Sequence, residues 1–363
     1  MVMIHGGDIY SNDVKTDFSV NINPLGVPKE IKEAVIEAVD IIDRYPEFRN
    51  KALNKTTADY FGVDEKNVIS GNGVSEVIMT VFQAFRPEKL LLPAPTFYGY
   101  VHAAVAVGSQ IQVVDIMKSG ELGEEHFKDG ELIDNSGWGK EVLCKLRDFD
   151  TESARTMFVI ANPNNPTGNL YTREELDEMA DICKEKGIYL VIDESFLSFT
   201  GKPKEYSAIN LIDKFENVIV LRAFTKIFAV PGIRLGCAVA CEKTISTMRE
   251  QLPEWNISVL AQKSGLRCLE LRDYVKDSVK LVDEERGYLT HELLELGFKV
   301  YDSRVNFILF YSKAPLYKRL LDKQILIRDC SEFTGLREGY YRIGVKKHDE
   351  NTELIKALKD IIK

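Results

Sequence analysis

The chain has no run of about 18 apolar residues, the minimum for a helix that crosses a membrane. Its first ten residues, Met1 to Tyr10, lack the apolar core of a secretory signal. Positive charge is in the minority: 47 Lys and Arg face 56 Asp and Glu, a formal net charge of −9, and the basic residues form no long run. That balance excludes nucleic acid and anionic membrane surfaces as expected partners. The five histidines, His5, His102, His126, His291 and His348, lie far apart with no metal-ligand spacing, so no metal is expected. The six cysteines, Cys144, Cys183, Cys237, Cys241, Cys268 and Cys330, form no CxxC pair and read as reduced thiols of a cytoplasmic protein. Internal repeats and low-complexity segments are absent.

What is there is a core. With 363 residues, 45% of them hydrophobic, the chain can bury one large domain or two. Strand-like runs at Lys89–Leu92, Gln110–Ile116, Thr156–Ala161, Tyr189–Asp193, Asn217–Leu221 and Leu235–Ala240 alternate with helical patterns, which predicts an α/β fold with a mostly parallel sheet. Thr172-x-x-Glu175 is a capping box opening a helix that runs to Lys186, where Gly187 supplies the stop. Val77, Ile78, Val81, Phe82 and Phe85 keep the spacing of a buried helix face. The ends differ from the middle. Pro28 to about Ile42 reads as a helix. From about Gln262 a long charged helical pattern leads to strands at Asn306–Tyr311, Ile325–Arg328 and Tyr341–Val345. A final amphipathic helix follows, with Leu354, Ile355, Leu358, Ile361 and Ile362 on one face. The expected division is a large domain over 49–261 and a smaller α+β domain from 1–48 plus 262–363. Charge-rich residues 118–152 read as a solvated surface excursion.

Parallel sheets bind ligands beyond the carboxyl ends of their strands, and the four loops there, after Leu92, Ala161, Ile192 and Leu221, are unusual. Residues 222–234, Arg-Ala-Phe-Thr-Lys-Ile-Phe-Ala-Val-Pro-Gly-Ile-Arg, place Lys226 just past a buried strand. A lysine held there near fixed positive charge can lose its proton and act as an amine nucleophile toward an aldehyde. The Thr225 hydroxyl and the Arg234 guanidinium suit a phosphate ester. Asn162-Pro163-Asn164-Asn165-Pro166-Thr167-Gly168 is a rigid turn that presents Asn165, available to bond a phenolate oxygen of a pyridine ring. Asp193, ending the Tyr189 strand, could bind magnesium, cap a helix, or pair with a pyridinium nitrogen and keep it protonated. Gly71-Asn72-Gly73-Val74-Ser75-Glu76 offers free N–H groups at a helix start to an anion. Pro95-Thr96-Phe97-Tyr98 would put an aromatic ring beyond another strand end.

In this order on one sheet, the motifs resemble the fold-type I (aspartate aminotransferase-like) pyridoxal-phosphate enzymes over nearly the whole chain. The resemblance implies a mostly parallel seven-stranded sheet flanked by helices, a smaller α+β domain, and pyridoxal 5'-phosphate as cofactor. It implies that Lys226 forms the aldimine with the cofactor and later shuttles the proton at Cα, that Asp193 pairs with the pyridine nitrogen and Asn165 with the ring oxygen, and that Phe97 stacks on the ring. Thr225, Arg234, Ser75 and the backbone at Gly73 and Val74 would hold the phosphate. Tyr45, in Arg44-Tyr45-Pro46, matches a tyrosine reaching that phosphate from the neighbouring subunit, which implies a homodimer. Arg342, in Tyr341-Arg342-Ile343-Gly344, matches the arginine that clamps the substrate carboxylate.

Two subgroups share these motifs: L-threonine-O-3-phosphate decarboxylases of cobalamin biosynthesis and histidinol-phosphate aminotransferases. The ends resemble the decarboxylases. His5-Gly6-Gly7-Asp8-Ile9-Tyr10 and Asp17-Phe18-Ser19-Val20-Asn21-Ile22-Asn23-Pro24-Leu25-Gly26 look like their opening. Ile325-Leu326-Ile327-Arg328-Asp329-Cys330, Gly335-Leu336 and Tyr340-Tyr341-Arg342 look like their close. The resemblance puts His5, the Gly6 backbone, Asn23 and Arg328 at the substrate end, with a phosphorylated amino acid as substrate. Phe196 stands where the aminotransferases usually place a tyrosine that bonds the ring oxygen, which also points to the decarboxylase. Ala223 replaces a serine or threonine common in both groups, so the phosphate cup lacks one hydroxyl. The expected reaction is decarboxylation of L-threonine O-3-phosphate to (R)-1-amino-2-propanol O-2-phosphate. The alternative is transamination of histidinol phosphate or a related amino acid with 2-oxoglutarate. A third reading, an inert relative serving as a binding or regulatory domain, is opposed by Lys226, Asp193, Asn165 and Arg342 all being present.

Overall fold

Seven short apolar runs bounded by turn residues build the central sheet. In spatial order they are Val68–Gly71, Gly236–Ala240, Val218–Ala223, Tyr189–Asp193, Thr156–Ala161, Lys89–Ala94 and Gln110–Asp115. The computed structural model describes residues 6–117 and 130–362. All strands run parallel except Gly236–Ala240, which is antiparallel to both its neighbours. Strands Thr156–Ala161 and Gly236–Ala240 are buried along their whole length, because helices cover both faces. One face packs Val77, Ile78, Val81 and Phe82 of helix Val74–Phe85 with Tyr100, Ala103 and Ala104. The other packs Leu176, Met179, Ala180 and Cys183 of helix Arg173–Glu185. That helix opens on a complete capping box: Glu175 N–H donates to Thr172 Oγ1 at 3.2 Å, and Thr172 N–H donates to Glu175 Oε2 at 2.9 Å.

A second sheet runs in the order Arg328–Asp329, Tyr340–Gly344, Phe307–Tyr311, Lys299–Tyr301 and Leu132–Ile133. Near its edge Thr16–Asp17 pairs in parallel with Ile325–Leu326, and Gly344 N–H donates to Phe18 O at 2.7 Å. The N-terminal segment is therefore stitched to strands more than 300 residues away. Helix Lys29–Val39 packs on helix Val259–Glu270.

Three expectations change. The described part of 118–152 is not a solvated excursion. Leu132–Ile133 extends the second sheet beside Val300–Tyr301, and helix Trp138–Asp148 buries Val142, Leu143 and Leu146 on helix Arg173–Glu185. Its charged residues occupy the opposite face; residues 118–129 lie outside the described residues. The long helical pattern from Gln262 is two helices, Val259–Glu270 and Arg272–Glu295, which meet at Leu271, a residue with ψ 58°. In the last helix, His348–Ile362, Leu354, Ile355 and Leu358 are buried but Ile362 is exposed. Among the described residues no helix is long and apolar enough to cross a membrane, and no group of side chains could hold a metal ion.

Candidate active site

A cavity of about 240 Å³ opens at the carboxyl ends of the parallel strands. Four cations line it, Lys226, Arg234, Arg328 and Arg342, against one carboxylate, Asp193. Such a space suits a ligand with several negative charges.

Lys226 sits on the single helical turn Phe224–Ile227 that follows strand Val218–Ala223. Burial, then the positive charges of Arg342 and Arg234, bring its amine down to about 8, while Asp193 opposes them. Asp193 ends strand Tyr189–Asp193. Its Oδ2 accepts the Tyr100 hydroxyl at 2.7 Å and its Oδ1 accepts Ser195 N–H at 2.9 Å. Burial pushes its carboxyl up, and these donors hold it back toward the charged form. Glu194, the next residue, is committed elsewhere. Its buried carboxylate pairs with Arg222 at 2.9 Å and accepts from Ser207 Oγ at 2.8 Å and Ala208 N–H at 2.6 Å. Strand alternation thus gives the cavity one acid of the two.

Gly73 starts helix Val74–Phe85 with φ 80°, and a Cβ there would lie 2.5 Å from Arg234 Nη2. The missing side chain lets the guanidinium lie over the helix N-terminus, where backbone N–H groups and the helix dipole already favour an anion. Val74, Ser75, Thr225 and the Ala223 methyl also line this end. The Asn162–Gly168 turn is knitted to the Pro95 loop: Asn164 Nδ2 donates to Pro95 O at 2.9 Å, and Thr96 Oγ1 donates to Asn164 Oδ1 at 3.0 Å. Asn165 is left facing the cavity, as are Phe97 and Phe196, whose ring packs 5.0 Å from Phe307.

The far end is built from the second sheet and the N-terminal segment. Arg328 and Arg342 are paired residues of adjacent antiparallel strands, both buried. Arg342 Nη1 donates to Asn165 Oδ1 and Nη2 to Ser19 O at 2.6 Å, while its buried Nε has no partner. Burial lowers this guanidinium to about 10. Arg328 lies 5.3 Å over the Phe333 ring, and Gly6 borders the same space.

Not every expected residue is here. Asn23 does not line the cavity. Its Nδ2 donates to Ile227 O and to Ser278 Oγ, both at 2.6 Å, and its Oδ1 accepts Leu25 N–H at 3.0 Å, so both of its donor hydrogens are committed inside the protein. Asn21, two residues earlier, does line it. Its buried Oδ1 lacks a partner. Its signal was the repeat Asn-Ile-Asn, which does not say which asparagine faces inward. Tyr100 was also missed; it stands one helical turn after Phe97. Tyr45 is 81% exposed beside Trp255, at a ring distance of 5.0 Å, and does not line the cavity. His5 lies outside the described residues.

Residues 13–358 match the family model described as aminotransferase class I and II. A threonine-phosphate decarboxylase of Salmonella typhimurium is 31% identical over 371 residues, covering 99% of this chain and 96% of the relative. A histidinol-phosphate aminotransferase of Pyrococcus furiosus is 33% identical over 344 residues, covering 94% and 91%. The crystal structure of the histidinol-phosphate aminotransferase from Clostridium acetobutylicum superposes with a TM-score of 0.83 at 29% identity, over 96% of this chain and 99% of that one. With this fold, this order of motifs and these matches, the chain belongs to the aminotransferase class I and II family, with the fold-type I architecture.

Proposed function

We propose that this protein decarboxylates L-threonine O-3-phosphate to (R)-1-amino-2-propanol O-2-phosphate, with pyridoxal 5'-phosphate as cofactor. The residues present fit that cofactor. A helix N-terminus with Gly73, Ser75, Thr225 and Arg234 offers a cradle for its phosphate, and Lys226, with its amine lowered to about 8, offers a nucleophile for its aldehyde. Asp193 would face the ring nitrogen, Asn165 the ring oxygen, and Phe97 the ring face. When bound, the cofactor supplies an aldehyde that condenses with an amine and a ring that takes up the electron pair of a bond broken at Cα.

The chain's own residues decide which bond that is. The residues that fix the rotation of the substrate would choose between loss of CO2 and loss of a proton. Arg342 would clamp the carboxylate, while Arg328, the Asn21 side-chain NH2 and the Gly6 backbone N–H would donate to the phosphate. The Lys226 ammonium would be the acid that returns a proton to Cα. The observation that carries this reading is the pair of buried guanidiniums side by side on adjacent strands. Threonine phosphate brings two anionic groups within a few bonds of each other. Histidinol phosphate carries one, so the second reading would fill both guanidiniums only in its 2-oxoglutarate half-reaction. Phe196, with no hydroxyl to offer the ring oxygen, agrees with the same choice.

A second reading, transamination of histidinol phosphate with 2-oxoglutarate, is supported by the relative from Pyrococcus furiosus. In either case we take the working form to be a homodimer. Tyr45 is exposed beside Phe48 and Trp255, away from its own cavity, where it could serve a neighbouring subunit's phosphate cradle. The buried free thiols Cys183, Cys237, Cys268 and Cys330 suit a cytoplasmic setting. The test is product analysis by mass spectrometry of protein incubated with L-threonine O-3-phosphate, with and without 2-oxoglutarate. Aminopropanol phosphate formed without the acceptor supports the decarboxylase. No reaction there, with glutamate formed from histidinol phosphate and 2-oxoglutarate, overturns it in favour of the second reading.

A further inference from the structure

Tyr100 has no part in the roles above, yet it touches two residues that do. It is fully buried, and its hydroxyl donates to Asp193 Oδ2 at 2.7 Å. Its ring meets Phe97 edge to face, with centroids 5.6 Å apart and planes at 86°. Gly99, between them, has no Cβ; one built there would collide with the Phe97 ring. One side chain thus braces both the carboxylate and the aromatic that flank the same space. Asp193 Oδ1 accepts Ser195 N–H and Oδ2 accepts the Tyr100 hydroxyl, and the Ser195 side chain is a further donor to the same carboxylate. The charged groups around Asp193 are Lys226, from the turn after the next strand, and Glu194 beside it in the chain. Burial and the Asp193 charge push the Tyr100 phenol well up, so it remains a donor throughout the neutral range.

We infer that Tyr100 is a positioning residue for the cofactor ring: its hydroxyl, together with Ser195, keeps Asp193 charged and aimed, and its ring edge fixes the plane of Phe97. This rests on reading the cavity as the pyridoxal-phosphate site. Tyr100→Phe deletes the hydroxyl and keeps the ring contact with Phe97, so it isolates the first half of the role. The measurement is cofactor affinity and dissociation rate, followed by the loss of visible absorbance on dialysis of the holoenzyme from acid to mildly alkaline pH. Affinity should fall roughly tenfold to a hundredfold, as expected for a lost hydrogen bond to a charged group. The acid limb should move toward neutral, because a donor that held the carboxyl down has gone. In the Asp193→Asn background the same change should cost almost nothing further.

An unchanged affinity and acid limb overturn the inference. So does an equal loss in the Asp193→Asn background, which would mean that Tyr100 only supports the fold. Wild-type protein that takes up no pyridoxal phosphate would overturn the reading of the cavity as well, so the two failures are told apart.

Discussion

The two ends of the cavity are held in place by different means. The proposed cofactor end rests on loops that directly follow strands of one sheet: Gly71, Ala161, Asp193 and Ala223 each end a strand of the same hydrogen-bonded sheet, which sets the residues that follow. The other end is assembled from distant pieces. Arg342 in the second sheet is tied to Ser19 and to Asn165, and Arg328 reaches the space only because its strand pairs with that of Arg342. A rigid end suits a group common to the whole family, and an end carried on a second sheet can change its ligand without disturbing the first. Relatives of similar identity that bear different activity names fit that division.

The largest effect should come from the rigid end. Lys226→Ala should abolish both turnover and the visible absorption of the loaded protein; retained turnover would sink the assignment of the nucleophile. Only the neutral amine attacks an aldehyde. Because burial and two arginines lower this lysine to about 8, the rate of cofactor capture by stripped protein should rise with pH around that midpoint. A midpoint near the ordinary 10.5 would show that the cavity does not desolvate the amine.

The next effect belongs to the far end and should leave the first intact. Arg328→Ala should lower kcat/KM for a phosphorylated substrate by about a hundredfold or more, the usual cost of removing one partner of a buried charge pair. The unphosphorylated analogue should lose far less, and the visible spectrum should not change. Equal losses on both substrates would refute a phosphate clamp and blur the division between the ends.

Helix Trp138–Asp148 tests whether the insertion is part of the core. Leu146 is completely buried against helix Arg173–Glu185, so Leu146→Ala should reduce unfolding free energy by about 2–5 kcal/mol in urea denaturation. Kinetic constants of the folded fraction should be unchanged. A loss below about 0.5 kcal/mol, the level of a surface substitution, would restore the reading of a solvated segment.

The same contrast explains what could be read from residues alone. Thr172 and Glu175, the strand runs and the loops bearing Asn165, Asp193 and Lys226 are local signals, and the structure places each where its sequence context points. Helix Trp138–Asp148 has its own local signal in Val142, Leu143 and Leu146, but the surrounding charge hides it. Leu132–Ile133 is different. Two residues form a strand only because Val300–Tyr301 is waiting beside them, a pairing no local pattern records. Tyr100 reads as an ordinary core aromatic until its partner, Asp193, is brought across from the third loop.

The smallest and most discriminating prediction concerns two asparagines two residues apart. Asn21 and Asn23 have the same side chain, yet of the two only Asn21 borders the cavity, with an unpartnered Oδ1. Asn23 instead binds the segment to Ile227 O and Ser278 Oγ, bracing the turn that carries Lys226. Asn21→Ala should raise KM for the phosphorylated substrate roughly tenfold while leaving thermal stability nearly unchanged, since no protein hydrogen bond to that oxygen is lost. Asn23→Ala should do the reverse. It should cost about 1–3 kcal/mol of stability, because Ser278 Oγ and Ile227 O lose their donor in a buried site, and leave KM close to that of the wild type. If Asn23→Ala raised KM with no loss of stability, the segment would be shifted by two residues from the placement described, and the substrate end of the cavity would have to be rebuilt around Asn23.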